Sequence, residues 1–118
     1  MKRAYFDYLQ DMLENSQRAI RFVKGMKYKE FEKDEKTLYA VIRAVEIIGE
    51  AAGSIPEDVR SKYPDIPWRD VRGMRNKLVH QYFGINMKVV WQTIREDLPA
   101  IISALKKIIK QENEKEGE

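Results

Sequence analysis

Apolar residues recur every three to four positions along almost the whole chain, and no stretch alternates with the period of a strand. Tyr5, Leu9, Met12 or Leu13, Ile20 and Val23 form one stripe and predict a first helix from about Lys2 to Val23, stopped at Gly25. Residues 27–33 are charged and read as a loop, with Tyr28 and Phe31 available to tuck under the bundle. Asp34 suits the cap of a second helix running to about Ala52, with Gly53 at its end. Its core face is Leu38, Val41, Ile42, Val45, Ile48 and Ala52, while Tyr39, Arg43, Glu46 and Glu50 line a separate polar stripe. Gly49 sits inside this helix, where it costs roughly 1 kcal/mol against alanine, and a close helix–helix approach would explain it.

Ser54-Ile55-Pro56-Glu57 has the pattern of a capping box opening a short helix to about Lys62. Pro67 suits the first position of a further helix, predicted to reach Tyr82 or Phe83 before Gly84 stops it. Asn86 caps a long final helix through Val89, Val90, Trp91 and Ile94. Pro99 kinks or restarts it, with Asp97 as the cap, and Ile101, Ile102, Leu105, Ile108 and Ile109 continue the apolar side. Residues 111–118 are polar and expected to fray. With no internal repeat and no linker, the expectation is all-α: one domain over residues 1–118, an antiparallel bundle of four main helices plus one short one.

Composition narrows the chemistry. The chain has 118 residues, enough for a single core. It has no cysteine, which excludes disulfides, thiolate metal sites and a cysteine nucleophile, and one histidine, which excludes a multi-histidine metal site within one subunit. No metal and no cofactor is expected. The N-terminus becomes charged and amphipathic at once, unlike a signal peptide, and no apolar run is long enough to span a bilayer, so a cytoplasmic protein without membrane partners is expected. A net charge of +3 permits nucleic-acid binding without requiring it. Abundant Lys and Glu without Cys fit a thermophilic source.

The sole histidine lies in Arg75-Asn76-Lys77-Leu78-Val79-His80-Gln81-Tyr82. Placed on a helix, Trp68, Val71, Met74, Leu78, Val79 and Tyr82 share one apolar arc, and Arg75 projects from its middle. A cation there must find an anion, leave the core or serve a function. An ion pair with Glu46 or Glu50 would explain it structurally and would also hold the guanidinium in place. On the same helix His80 falls roughly 140° from Arg75, one turn after Asn76, and Tyr82 roughly 20° from Arg75. Arginine, amide and histidine on one rim suit binding and cleavage of a phosphodiester. Arginine offers a permanently charged fork for phosphate, and histidine suits either proton-transfer role near neutral pH. Arg69, Arg72 and Lys77 flank the motif as candidates for RNA contact. The bland readings are a capping histidine, core aromatics at Trp68, Trp91 and Tyr82, and a solvated lysine face at Lys106, Lys107 and Lys110.

Four segments together resemble the HepT-like toxins of the HEPN superfamily: Ala40-Val41-Ile42-Arg43-Ala44-Val45-Glu46-Ile47-Ile48-Gly49-Glu50-Ala51-Ala52, Tyr63-Pro64-Asp65-Ile66-Pro67-Trp68, Gly73 through Phe83, and Val90-Trp91 with Asp97-Leu98-Pro99. The resemblance implies an all-helical homodimer, the toxin of a prokaryotic type VII-like toxin–antitoxin pair, acting as a metal-independent endoribonuclease. Arg75 and His80 match the catalytic pair at a cleft between subunits, and Asn76 matches the polar residue after the arginine. Tyr82 matches the tyrosine onto which a partner nucleotidyltransferase antitoxin transfers AMP from ATP, a nucleotide the partner uses and this chain does not. One histidine cannot readily serve as both acid and base, and a symmetric dimer would bring two Arg–His pairs together. The alternative is a non-catalytic dimeric helical module that binds nucleotide or docks a nucleotidyltransferase.

Overall fold

The structure, a computed structural model, describes residues 4–80 and 84–117, with side chains for all of these except 80, 116 and 117. The described chain is almost wholly helical. Helix α1 (Ala4–Phe22) ends in a turn at Gly25, whose φ of 79° lies in the left-handed region that favours glycine. Residues expected as a loop instead form helix α2 (Tyr28–Lys33), closed by a Glu30 side chain that accepts from the Lys27 N–H. Its aromatics do tuck in: Phe31 is fully buried, and the Tyr28 and Phe31 rings lie 5.9 and 5.2 Å from that of Trp91.

Helix α3 (Glu35–Ser54) starts where expected, with the Asp34 carboxylate accepting from the Thr37 N–H at 3.0 Å. It continues through Gly53, because that glycine keeps helical geometry and faces the Arg72 side chain. Gly49 has the role its position implied. A β-carbon there would stand 3.2 Å from the Arg72 carbonyl oxygen, so glycine lets the two backbones come this close without crowding. The capping box at Ser54 does not form. The Ser54 hydroxyl bonds back to the Glu50 carbonyl, and α4 (Glu57–Lys62) opens from Pro56 with no side-chain cap.

The predicted helix from Pro67 to Tyr82 is broken into α5 (Trp68–Arg72) and α6 (Met74–Leu78), separated at Gly73. Helical geometry then stops. Val79 is extended at φ −116° and ψ 116°, and Val79–His80 (β1) pairs antiparallel with Gly84–Ile85 (β2). The Asn86 N–H donates to the Leu78 carbonyl at 3.0 Å, and Gly84 adopts φ 76°. The chain therefore pairs back on itself here instead of extending the helix to Tyr82 or Phe83 as expected.

Asn86 caps α7 (Met87–Gln92) through its side chain, as predicted. The last helix does restart at Pro99, which is the second residue of α8 (Leu98–Gly117), but Asp97 is not its cap. A wide turn at Thr93–Asp97, with the Leu98 N–H reaching back to the Thr93 carbonyl, joins α7 to α8. A proline lacks an N–H and clashes with the carbonyl four residues earlier, and the widened turn re-routes that carbonyl ladder. The polar tail, expected to fray, is helical to Gly117. Glu112 anchors it: the residue is 1% exposed and accepts hydrogen bonds from the Tyr5 and Tyr63 hydroxyls. The core lies where α1 meets α3 and α8, around Leu9, Met12, Val41, Val45, Ile48, Leu98 and Leu105. Helices α5 and α6 pack on the outer side of α3, and the candidate site is built there.

Candidate active site

Helix α3 presents a polar edge of Arg43, Glu46 and Glu50 beside the glycines Gly49 and Gly53. Because the glycines carry no side chain, α5 and α6 settle against this edge, and Arg72, Arg75 and Asn76 come to face it. The result is an open groove of about 380 Å³ lined by Glu46, Gly49, Glu50, Gly53, Arg72, Arg75 and Asn76.

The ion pair anticipated for Arg75 is present: its Nε lies 3.4 Å from Glu46 Oε2. Glu46 is shared, since its Oε1 is 3.5 Å from Arg43 Nη1, and Arg43 also reaches Glu50 Oε1 at 3.9 Å. Arg75 is 45% exposed, so it left the core and found an anion. Such a pair contributes at most about 1 kcal/mol to stability. Its larger effect is directional. Glu46 engages the Nε edge of the guanidinium, and Asn76 Oδ1 stands 3.5 Å from Nη1, at the outer limit of a hydrogen bond. The planar fork is held at the groove with donors left for a ligand. Glu46 and Glu50 have the spacing of a metal-binding pair on a helix, but both are engaged by arginines. Among the described residues no group of three or more His, Cys, Asp or Glu side chains is placed to hold a metal.

Arg72, Arg75 and Asn76 are thus brought together. Lys77 is not: it faces a separate cavity bordered by Asp65, Asp70, Glu96 and Asp97, on the side of the last helix. Arg69 borders that cavity too. For His80, only the backbone is described, in the ladder opposite Gly84. The helical projections that set His80 one turn after Asn76 and Tyr82 beside Arg75 do not apply, because α6 ends at Leu78. Tyr82, the expected modification site, lies outside the described residues. The residues missed by sequence reasoning are Arg43, whose pairing with Glu46 is signalled by its i, i+3 spacing, and the strand-favouring character of Val79 before Gly84.

No described helix is long and apolar enough to cross a membrane. A family model described as ribonuclease HepT-like matches residues 12–108. Among curated proteins, the chain is 44% identical over 110 residues to a Thermococcus cleftensis protein named "Probable ribonuclease HepT", covering 93% of this chain and 100% of that one. It is 46% identical over 109 residues to "Putative RNase MJ1216" of Methanocaldococcus jannaschii, covering 92% and 90%. It is 38% identical over 105 residues to "Putative RNase TTE0752" of Caldanaerobacter subterraneus subsp. tengcongensis, covering 89% and 94%. No solved structure matches the chain significantly.

Proposed function

Since the chain belongs to the HepT-like ribonuclease family, we propose that it is a metal-independent endoribonuclease, the toxin of a prokaryotic type VII-like toxin–antitoxin pair. The observation that carries the reading is a half-exposed Arg75 guanidinium, held at Nε by Glu46 at the mouth of a groove. RNA brings its own nucleophile. The 2′-oxygen forms a new bond to phosphorus, its proton passes to a base, the bond to the 5′-oxygen breaks, and an acid protonates that oxygen. The products are a 2′,3′-cyclic phosphate and a 5′-hydroxyl. Arg75 binds the non-bridging oxygens, where charge builds up in the transition state. His80, the single imidazole, takes one proton-transfer role. In a homodimer the second copy's imidazole takes the other. Asn76 and Arg72 support the phosphate from the same groove, and Lys77 serves RNA only at a distance from it.

The experiment is cleavage of RNA by the purified chain in excess chelator, with the new ends identified by mass. Cyclic phosphate ends that vanish in His80→Ala are the expected result. Cleavage that needs added metal, or survives the substitution, refutes the reading.

The finer part concerns control. A nucleotidyltransferase antitoxin joins the Tyr82 hydroxyl oxygen, two residues after His80, to the α-phosphorus of ATP, with loss of the hydroxyl proton and release of pyrophosphate, and so places a bulky anion in the motif segment where it competes with RNA for cationic groups. A mass increase on Tyr82 after incubation with such an enzyme and ATP is expected, and an unmodified Tyr82 would remove this part alone.

A further inference from the structure

A second groove, of about 800 Å³, lies between α4 and the start of α5 and shares Arg72 with the first. Arg60, Trp68, Arg69 and Arg72 line it, with Glu57 as the carboxylate on its rim. None of the three arginines enters an ion pair among the described residues. Arg60 Nε itself is buried and lacks a hydrogen-bond partner there. Trp68 is half-buried, and its indole N–H donates to the Tyr63 carbonyl at 3.0 Å, so the ring is held in one orientation. A fixed indole among three unpaired arginines joins a stacking surface to a phosphate-binding surface, which is how single strands are held without reading sequence.

We propose that this groove is a second nucleotide subsite, in which an unpaired RNA base stacks on Trp68 while Arg60 and Arg69 take the adjoining phosphates. Arg72 connects it to the Arg75 groove, so one strand runs across both. The proposal rests on the ribonuclease reading for its substrate, but it concerns binding, so a strand that cannot be cut tests it separately.

The probe is a fully 2′-O-methylated RNA hexamer, labelled for anisotropy and followed also by tryptophan fluorescence. The intact chain is expected to bind it with quenching that disappears in Trp68→Phe, which retains a stacking ring. Trp68→Leu is expected to weaken binding about tenfold. Arg60→Ala combined with Arg69→Ala should weaken it further and lower the salt dependence of log K by roughly 1.4, about 0.7 for each phosphate left without its arginine. Equal affinity and salt slope in the double variant would overturn the subsite, as would no binding by the intact chain. Circular dichroism of each variant separates weaker binding from failed folding. Binding that passes these tests in a chain that cuts no RNA would sustain the subsite and refute the nuclease reading instead.

Discussion

Two carboxylates link distant parts of the chain, and they do so in opposite surroundings. Glu112 is sealed at one end of the bundle, where it accepts from Tyr5 and Tyr63 and pairs with Lys115, tying the last helix to α1 and to the turn after α4. Glu46 lies on the outer edge of α3, where it holds Arg75 and Arg43 in partly solvated pairs. A carboxylate buried from water spends its capacity on its own partners and contributes stability. A network open to water contributes little stability, but keeps a guanidinium aimed and unsaturated.

Perturbing each network in turn sharpens the contrast. The largest effect is expected for Arg75→Ala. Loss of one preorganised donor to the developing oxyanion should lower kcat/KM for RNA about 10²- to 10³-fold, while the melting temperature moves by only a few degrees. Next comes Glu112→Ala, which removes the acceptor of two tyrosine hydroxyls from a buried position. It should cost about 3 kcal/mol in urea unfolding, with activity per folded molecule unchanged.

Gly49→Ala should cost about 1 kcal/mol. The added methyl meets a backbone carbonyl at 3.2 Å, and overpacking exceeds the gain in helix propensity. Because that carbonyl belongs to Arg72, activity should fall as well, unlike the Glu112 variant.

Acid acts on the closed network. Burial alone would raise the Glu112 carboxyl, but the hydrogen bonds from Tyr5 and Tyr63 and the charge of Lys115 outweigh it and bring it below its ordinary 4.5. A carboxyl lowered on folding stabilises above its unfolded value, and that contribution is lost as pH falls through the folded value. Hydrogen bonds from the backbone and side chain of Thr37 likewise lower Asp34 below 3.8. Unfolding followed below about pH 4.5 should therefore show stability falling with pH, and the slope should be shallower in Glu112→Gln. The smallest change is expected for Glu46→Gln: at most about 1 kcal/mol in stability, with RNA cleavage weakened because Arg75 loses its anchor.

Much of this was legible in the chain. Periodicity located α1 and α3 and the caps at Asp34 and Asn86, because those signals are local: a stripe of side chains, or one carboxylate or amide three residues from an N–H. The costly Gly49 announced a close contact, and the out-of-place Arg75 announced its Glu46 partner, since both violate a local rule that only a neighbour can justify. The break after Leu78 was hidden. Trp68 to Tyr82 fits a helical arc, but the Leu78 carbonyl bonds to Asn86, and Gly84 reverses the chain. The order of the tail was hidden too. Gln111 to Glu118 is polar, and nothing local to Glu112 points to tyrosines 49 and 107 residues away.

The proposed function requires the Arg75 fork to grip a phosphodiester in the open groove. The direct measurement is nuclear magnetic resonance of ¹⁵N-labelled arginine Nε–H signals, with the Arg75 signal assigned through Arg75→Lys, during titration with a 2′-O-methyl dinucleotide. The Arg75 signal is expected to shift and to saturate with the bound fraction while that of Arg43, on the far side of Glu46, stays in place. An Arg75 signal that does not move while the dinucleotide binds elsewhere on the chain would contradict the proposed function.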